Sequence, residues 1–222
     1  MKERSTGGGI YEALKMLDIF GSVGVRFFDI THTNIDQEKR GFRPKQSFDD
    51  AQTSMPYLVP SSARRQNNVI VRPHNPAAVI LVQLDDLAES ALDRLQSSSF
   101  LTLATSPGNH QSWVAVENPQ AIPDTDFVRR LRKGAGADPT ASGATRVAGT
   151  ANYKRKYAPV FPTIAIAASK PGQIVSRAEL EGLGLVAAPA ADGRAISIAL
   201  PMRPTLTVRT RLMCLARISP GA

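Results

Sequence analysis

The sequence holds one cysteine, Cys214, which excludes an internal disulfide and a cysteine-based zinc site. Its three histidines, His32, His74 and His110, stand in separate segments, which argues against a histidine-rich metal centre. No apolar run approaches the ~18 residues of a bilayer span. Met1-Lys2-Glu3-Arg4 leads into glycines rather than an apolar signal region, so a soluble, cytoplasmic protein with no membrane partner is expected. The strings GxGxxG, GxxxxGK[ST] and GxSxG are missing, which removes the usual sequence warrants for a dinucleotide fold, a P-loop and a serine hydrolase. No internal repeat is visible.

What is abundant is positive charge. A formal net charge of +8 and an isoelectric point near 10.0 fit a polyanionic partner, because basic groups attract phosphates and release their counterions. They fit a merely basic surface equally well. At 42% hydrophobic residues over 222 positions, the chain can build a full core.

Hydrophobic periodicity gives an alternating set of elements. Ile10, Leu14 and Leu17 recur at helical spacing, and Gly21 and Gly24 close that helix. A strand over 25–30 follows, then a polar loop or hairpin over 31–46. Ser47 with Asp50 opens a short helix expected to stop near Pro56. Strands are expected over 69–71 and 79–84, and Leu87, Ala91 and Leu95 mark an amphipathic helix. Strands over 100–104 and 111–116 flank the turn Ser106-Pro107-Gly108-Asn109, which makes a hairpin. A helix from Asp124 or Thr125 ends at Gly134, a strand covers 161–167, and Ser176 with Glu179 forms a capping box. The fold class is therefore α+β, a two-layer mixed or antiparallel sheet with helices rather than a doubly wound parallel one. The last segment, 193–222, has only arginine as a charged residue and no apolar period, and reads as an irregular tail.

Four places carry candidate chemistry. Asp85-Asp86 stands where a strand meets a helix, and carboxylates at the mouth of a sheet offer the hard oxygen ligands that magnesium takes, but Asp86 is also well placed as a simple helix N-cap. Asp138, between Gly134-Ala135-Gly136-Ala137 and Pro139, is a further carboxylate or an Asp-Pro turn. The hairpin tip Ser106, Asn109, His110 and Gln111 offers donors for triphosphate oxygens, with Trp113 read as core and His110 open to a plain surface role. Arg146, Lys154, Arg155 and Lys156, interleaved with Asn152, Tyr153 and Tyr157, suit single-stranded nucleic acid or form a solvated basic loop. Arg64, Arg65 and Arg72 form a second basic group.

In order, the blocks Phe27-Phe28-Asp29-Ile30, Asn67-Asn68-Val69-Ile70-Val71-Arg72-Pro73, Val82-Gln83-Leu84-Asp85-Asp86-Leu87, Thr105-Ser106-Pro107-Gly108-Asn109-His110-Gln111-Ser112-Trp113, Ala137-Asp138-Pro139 and Arg146-Val147-Ala148-Gly149-Thr150-Ala151-Asn152 resemble those of RepB-type plasmid and phage DNA primases. These belong to the archaeo-eukaryotic primase superfamily, with a core like the RNA-recognition-motif sheet. The resemblance implies a primase catalytic domain over 8–170, with a short helix and basic tail over 171–222. It implies nucleotidyl transfer on a single-stranded DNA template from nucleoside triphosphates, with a replicative helicase as a further partner. Asp85, Asp86 and Asp138 would be the catalytic carboxylates and would hold Mg²⁺ or Mn²⁺. Ser106, Asn109, His110, Gln111, Arg146 and Asn152 would bind nucleotide, and Arg72, Lys154, Arg155 and Lys156 nucleic acid. Two departures stand out: the stretch from Pro139 to Thr145 is short and lacks the family's histidine, and no helical template-binding domain follows Gly184. Two other readings remain, a non-catalytic single-strand-binding remnant of a mobile element and a relaxase; the relaxase is disfavoured for want of clustered histidines beside a tyrosine.

Overall fold

The computed structural model of the chain describes residues 6–189, and the tail expected over 193–222 lies outside them. Helix α1 (Thr6–Ser22) presents Ala13, Met16, Leu17 and Phe20 on its buried side, at the spacing of one helical face. Strand β1 (Phe27–Thr33) follows, and the polar stretch after it forms strand β2 (Lys39–Ser47), so the hairpin option holds. Helix α2 (Phe48–Arg65) starts as expected on Ser47, whose hydroxyl accepts from the Asp50 N–H. It does not stop at Pro56. It runs for 18 residues through Pro56 and Pro60, because Met55, Leu58 and Val59 are buried, while Pro56 faces outward and Pro60 is half-buried. There the carbonyls freed by the missing N–H groups can meet water.

The remaining elements are strands β3 (Asn68–Pro73) and β4 (Val79–Leu87), helix α3 (Glu89–Leu95), strands β5 (Leu101–Ser106) and β6 (Asn109–Glu117), helix α4 (Thr125–Ala135), strands β7 (Thr145–Arg146) and β8 (Ala165–Ser169), and helix α5 (Arg177–Gly182). The last strand starts four residues later than the pattern indicated. The capping box on Ser176 and Glu179 forms in both halves. The strands make two four-stranded sheets, β2-β1-β3-β7 and β4-β6-β5-β8, with every strand pair antiparallel. The α+β class is thus established.

Alternation along β6 shows how the layers are joined. Trp113 and Ala115 enter one core, with α1, α2, Phe28 and Val71, while Val114 and Val116 enter a second with Phe127, Leu131, Leu180 and Leu185. Phe20 links the sheets within the first core, meeting Phe28, Phe100 and Trp113 edge-on at centroid distances of 6.0, 5.5 and 5.1 Å. Trp113 is core, as its sequence context implied. The β2-β1-β3-β7 sheet buries Phe28, Ile30, Val69 and Val71, and leaves Asp29, Thr31, Ile70 and Arg72 on its open face. No described helix is long and apolar enough to cross a membrane.

Candidate active site

The site grows from an irregularity in β4. The sequence pattern ends this strand at Leu84, yet pairing with β6 resumes at Leu87 opposite His110, with a register shift between. Asp85 and Asp86 occupy that bulge. Asp86 takes the left-handed conformation (φ 55°), which aspartate tolerates better than most residues. A bulge breaks the period-two alternation of a strand, so neighbouring carboxylates can line one cleft. The capping alternative for Asp86 fails: α3 is capped at Ala88, with no side-chain hydrogen bond.

The cleft lies where the ends of the two sheets meet. Its walls include Asp85, Asp86, Ser106, Asn109, Gln111, Arg146, Asn152, Lys154, Lys156 and Tyr157. Alternation puts Asn109 and Gln111 on the cleft side of β6 and His110 on the other, where its Nδ1 is buried without a partner among the described residues. Gln111, only 4% exposed, donates from Nε2 to Asp85 Oδ1 at 3.0 Å. Its Oε1 accepts from Trp113 Nε1 at 3.1 Å. Asn109 Nδ2 donates to Ser106 Oγ at 3.2 Å.

Arg146 is placed by residues that the sequence pattern did not single out. Its Nε donates to Asn68 Oδ1 at 3.0 Å and its Nη2 to Gln37 Oε1 at 2.6 Å. Asn68 is fully buried in β3; its Nδ2 reaches Thr33 Oγ1 and the Tyr153 carbonyl, and its Oδ1 also accepts from the Tyr153 N–H. The available signal is a polar amide at the threshold of an apolar strand, where burial obliges it to find partners. Gln83, 1% exposed, similarly clamps the loop before β7, accepting from the Gly143 N–H and donating to the Ala144 carbonyl, both at 2.6 Å.

The electrostatics follow from crowding of cations. Burial, then Arg146 and Lys156, pull the Lys154 ammonium below its ordinary pKa, while Tyr157 and Asp86 oppose this. Burial depresses Arg146 too, with Asp85 offsetting it. Although burial opposes it, hydrogen bonds from Ser106 and Lys156 and the nearby lysine charges hold the Tyr157 phenol below its usual value. Asn152 is 2% exposed; its Nδ2 donates to the Thr105 carbonyl at 3.0 Å, and its Oδ1 has no partner among the described residues.

Other candidates stand apart from this lining. Asp138 is tied to the bulge by its main chain, its N–H donating to the Asp85 carbonyl at 3.0 Å, but its Oδ1 accepts from the Thr140 N–H and hydroxyl. Those two bonds, opposed by burial and assisted by Arg132, lower its pKa. Arg155 makes a two-point pair with Asp36 at 2.7 and 2.8 Å. Arg72 lies on the open sheet face, in a recess with Asp29 and Phe42. Among the described residues no three of His, Cys, Asp and Glu converge as a ready metal cage. A mostly apolar recess of about 480 Å³ between α1, α2 and residues 149–151 holds one carboxylate, Glu12, and no cation.

The sequence model of the RepB DNA-primase N-terminal domain matches residues 34–160, more than half of the chain. The solved structure of primase RepB′ is similar with a TM-score of 0.61 and 24% identity, over 78% of this chain and 62% of that one. The catalytic domain of primase RepB′ in complex with initiator DNA gives the same score and identity over 78% of this chain and 94% of that one. The chain therefore spans less than two thirds of the former relative. No curated protein matches it.

Proposed function

The chain belongs to the family of RepB DNA-primase N-terminal domains, and from that premise we propose that it is a primase catalytic core extending primers on single-stranded DNA from nucleoside triphosphates. The observation that carries this reading is the pairing, within one cleft, of the Asp85-Asp86 bulge with Arg146, Lys154 and Lys156. Carboxylates opposite cations are what a metal-bound triphosphate requires. The cleft encloses about 80 Å³, far below the ~300 Å³ of a typical ligand pocket. A nucleotide would therefore seat its phosphates inside and leave its sugar and base over the mouth.

The donor set fits a hard divalent cation: carboxylate oxygens, one of them oriented by Gln111 and by the Asp86 N–H. Asp85 and Asp86 would hold Mg²⁺ or Mn²⁺, with Asp138 anchored beside them through its main chain. The ion would supply charge neutralisation and activation of the primer hydroxyl. The chain's own residues do the rest. Arg146, pinned by Asn68 and Gln37, presents a fixed guanidinium to a phosphate. Lys154 and Lys156 balance its remaining charge, and Ser106 and Asn109 add neutral donors. Asn152, whose Nδ2 donates to the Thr105 carbonyl, would hold that wall of the cleft beside the nucleotide. The 8–170 segment would carry this activity, α5 adding to the second core.

Template-dependent incorporation of labelled nucleotide, with Mg²⁺ or Mn²⁺, tests the proposal. Asp86→Asn keeps a side chain that tolerates the left-handed conformation, so folding by circular dichroism should be unchanged while synthesis falls by about 10³-fold. Single-strand binding with no synthesis by the wild-type chain would instead favour a non-catalytic binding module.

A further inference from the structure

Among the described residues, a concentration of unneutralised charge outside the cleft lies at the free edge of the first sheet. β2 is the outer strand there, and its sequence Lys39-Arg40-Gly41-Phe42-Arg43-Pro44-Lys45 places cations along it. Between this edge and α2 is a recess of about 380 Å³ whose walls include His32, Arg40, Phe42, Arg43 and Arg65. Arg43 and Arg65 have no carboxylate partner among the described residues. Arg40 pairs only with Glu38, at 2.9 Å with both side chains more than half exposed, a solvent-screened pair that a phosphate can replace. Burial, then Arg43 and Arg65, pull the His32 imidazole below its ordinary value, as expected where two guanidinium groups share a site without a counterion.

A purely structural explanation covers part of this. Arg65 sits in the last turn of α2, where a cation suits the helix dipole. It does not cover Arg40 and Arg43, which come from β2 rather than from that helix. Two exposed aromatics accompany the cations: Phe42 (47% exposed) with Lys39 over its ring at 3.8 Å, and Phe27 (40% exposed) with Lys45 at 5.3 Å. Basic groups alternating with exposed rings are the surface on which single strands stack and pair.

The edge also leads to the cleft. Phe42 borders a second recess on the open sheet face with Thr31, Ile70 and Ala144, and Ala144 borders the cleft itself. The same line is a straight cross-strand row, Phe42 opposite Thr31, Thr31 opposite Ile70, and Ile70 opposite Arg146.

We propose that the recess formed by Arg40, Arg43 and Arg65 is a second phosphate site, which holds the backbone of the single-stranded DNA at a point remote from the cleft while its bases pass over Phe42. This rests on the primase reading for the identity of the strand, but not for the existence of the site. It is tested with the whole chain by measuring the affinity of oligo-dT long enough to span both places, and of a dinucleotide, across a salt series. In Arg43→Ala/Arg65→Ala, the long strand should bind about 10-fold more weakly near 0.1 M salt, with log K against log salt flatter by about 0.7 for each phosphate no longer neutralised. Dinucleotide and nucleoside triphosphate binding should not change, and Arg43→Lys/Arg65→Lys should restore most of the long-strand affinity. In primer synthesis the double alanine variant should raise the template KM and leave kcat alone. Unchanged long-strand affinity would overturn the site, as would weaker nucleoside triphosphate binding in the double variant, which would mean a free-nucleotide pocket. A wild-type chain that makes no primers, yet binds the long strand less tightly on substitution, would overturn the primase reading and leave this site standing.

Discussion

Gln111 holds Asp85: its Nε2 donates to Asp85 Oδ1 across 3.0 Å, and its other amide end is itself fixed by Trp113 Nε1. A relay thus runs from the core, where Trp113 is 1% exposed, to a carboxylate on the cleft wall. The sequence resemblance gives Gln111 the role of facing the nucleotide; both ends of its amide are engaged in positioning. Gln111→Met should leave Trp113 Nε1 unpaired, costing about 1–3 kcal/mol, and free Asp85 to rotate. Primer synthesis should fall by about 10–100-fold, the usual effect of removing a partner that orients a ligating group. Trp113→Phe removes the first donor and leaves the Gln111–Asp85 contact in place, so it should cost stability through the core cavity it opens while its effect on activity should be the smaller. Equal activity of Gln111→Met and wild type in steady-state synthesis would show that Asp85 needs no holding.

The close approach of Gly149 and Gly9 gives a stability prediction. Gly149 has φ 81°, and a Cβ on it would lie 2.1 Å from the Gly9 carbonyl oxygen. Alanine there is both strained and in collision with backbone, which no rotamer can relieve. Gly149→Ala should cost more than ~1 kcal/mol in urea unfolding, because it pushes α1 off the segment that follows Arg146. Gly143, also at positive φ but with nothing near its missing Cβ, is the control and should lose less.

Much of this architecture was legible because it is local. The hairpin at Pro107-Gly108, the Ser47 cap and the Ser176–Glu179 capping box are each written within four residues, and local chemistry decides them. The bulge at Asp85-Asp86 was not legible. Nothing in Leu84-Asp85-Asp86-Leu87 distinguishes a strand that ends from one that skips and resumes, since the decision rests with β6. The course of α2 through Pro56 and Pro60 escaped for a similar reason: burial of Met55, Leu58 and Val59 outweighs a local breaker. The partners of Arg146, Gln37 and Asn68, are 109 and 78 positions away in the chain, beyond the reach of any periodicity. The cleft residues themselves came from motif order, and their convergence could come only from the fold.

Asp29 provides the pH dependence. Burial opposes ionisation, but the Lys45 N–H, His74 Nε2 at 2.9 Å and Arg72 together hold its carboxyl below the ordinary 3.8. Its folded pKa is depressed, so the unfolded chain binds the proton first. The stability it contributes is therefore present above 3.8 and is lost as pH falls through the depressed value. Asp29→Asn removes that part, so the drop in urea midpoint between about pH 6 and about pH 3 should be smaller than in wild type. An unaltered drop would mean that the carboxylate has the same pKa in both states.

The basic segment after Asn152 should divide into two parts. Arg155 is engaged by Asp36 in a two-point pair outside the cleft, while Lys154 and Lys156 line the cleft and face Asp86 and Tyr157. Lys154 is held below its ordinary pKa by burial and by Arg146 and Lys156, so its charge opposes folding. Stability should accordingly rise with pH from that depressed value towards 10.5, where the unfolded chain still binds the proton. Lys154→Met should remove this slope and raise the melting temperature at neutral pH, while weakening triphosphate binding by roughly 10-fold, the scale of one charge-assisted hydrogen bond at ~1.4 kcal/mol. Arg155→Ala should leave triphosphate affinity within about twofold of wild type, as expected of an exposed pair remote from the ligand. Calorimetric titration of the three proteins with metal and nucleotide distinguishes these outcomes. If Arg155→Ala proves as damaging as Lys154→Met, the Asp36 pair must itself hold the segment against the cleft.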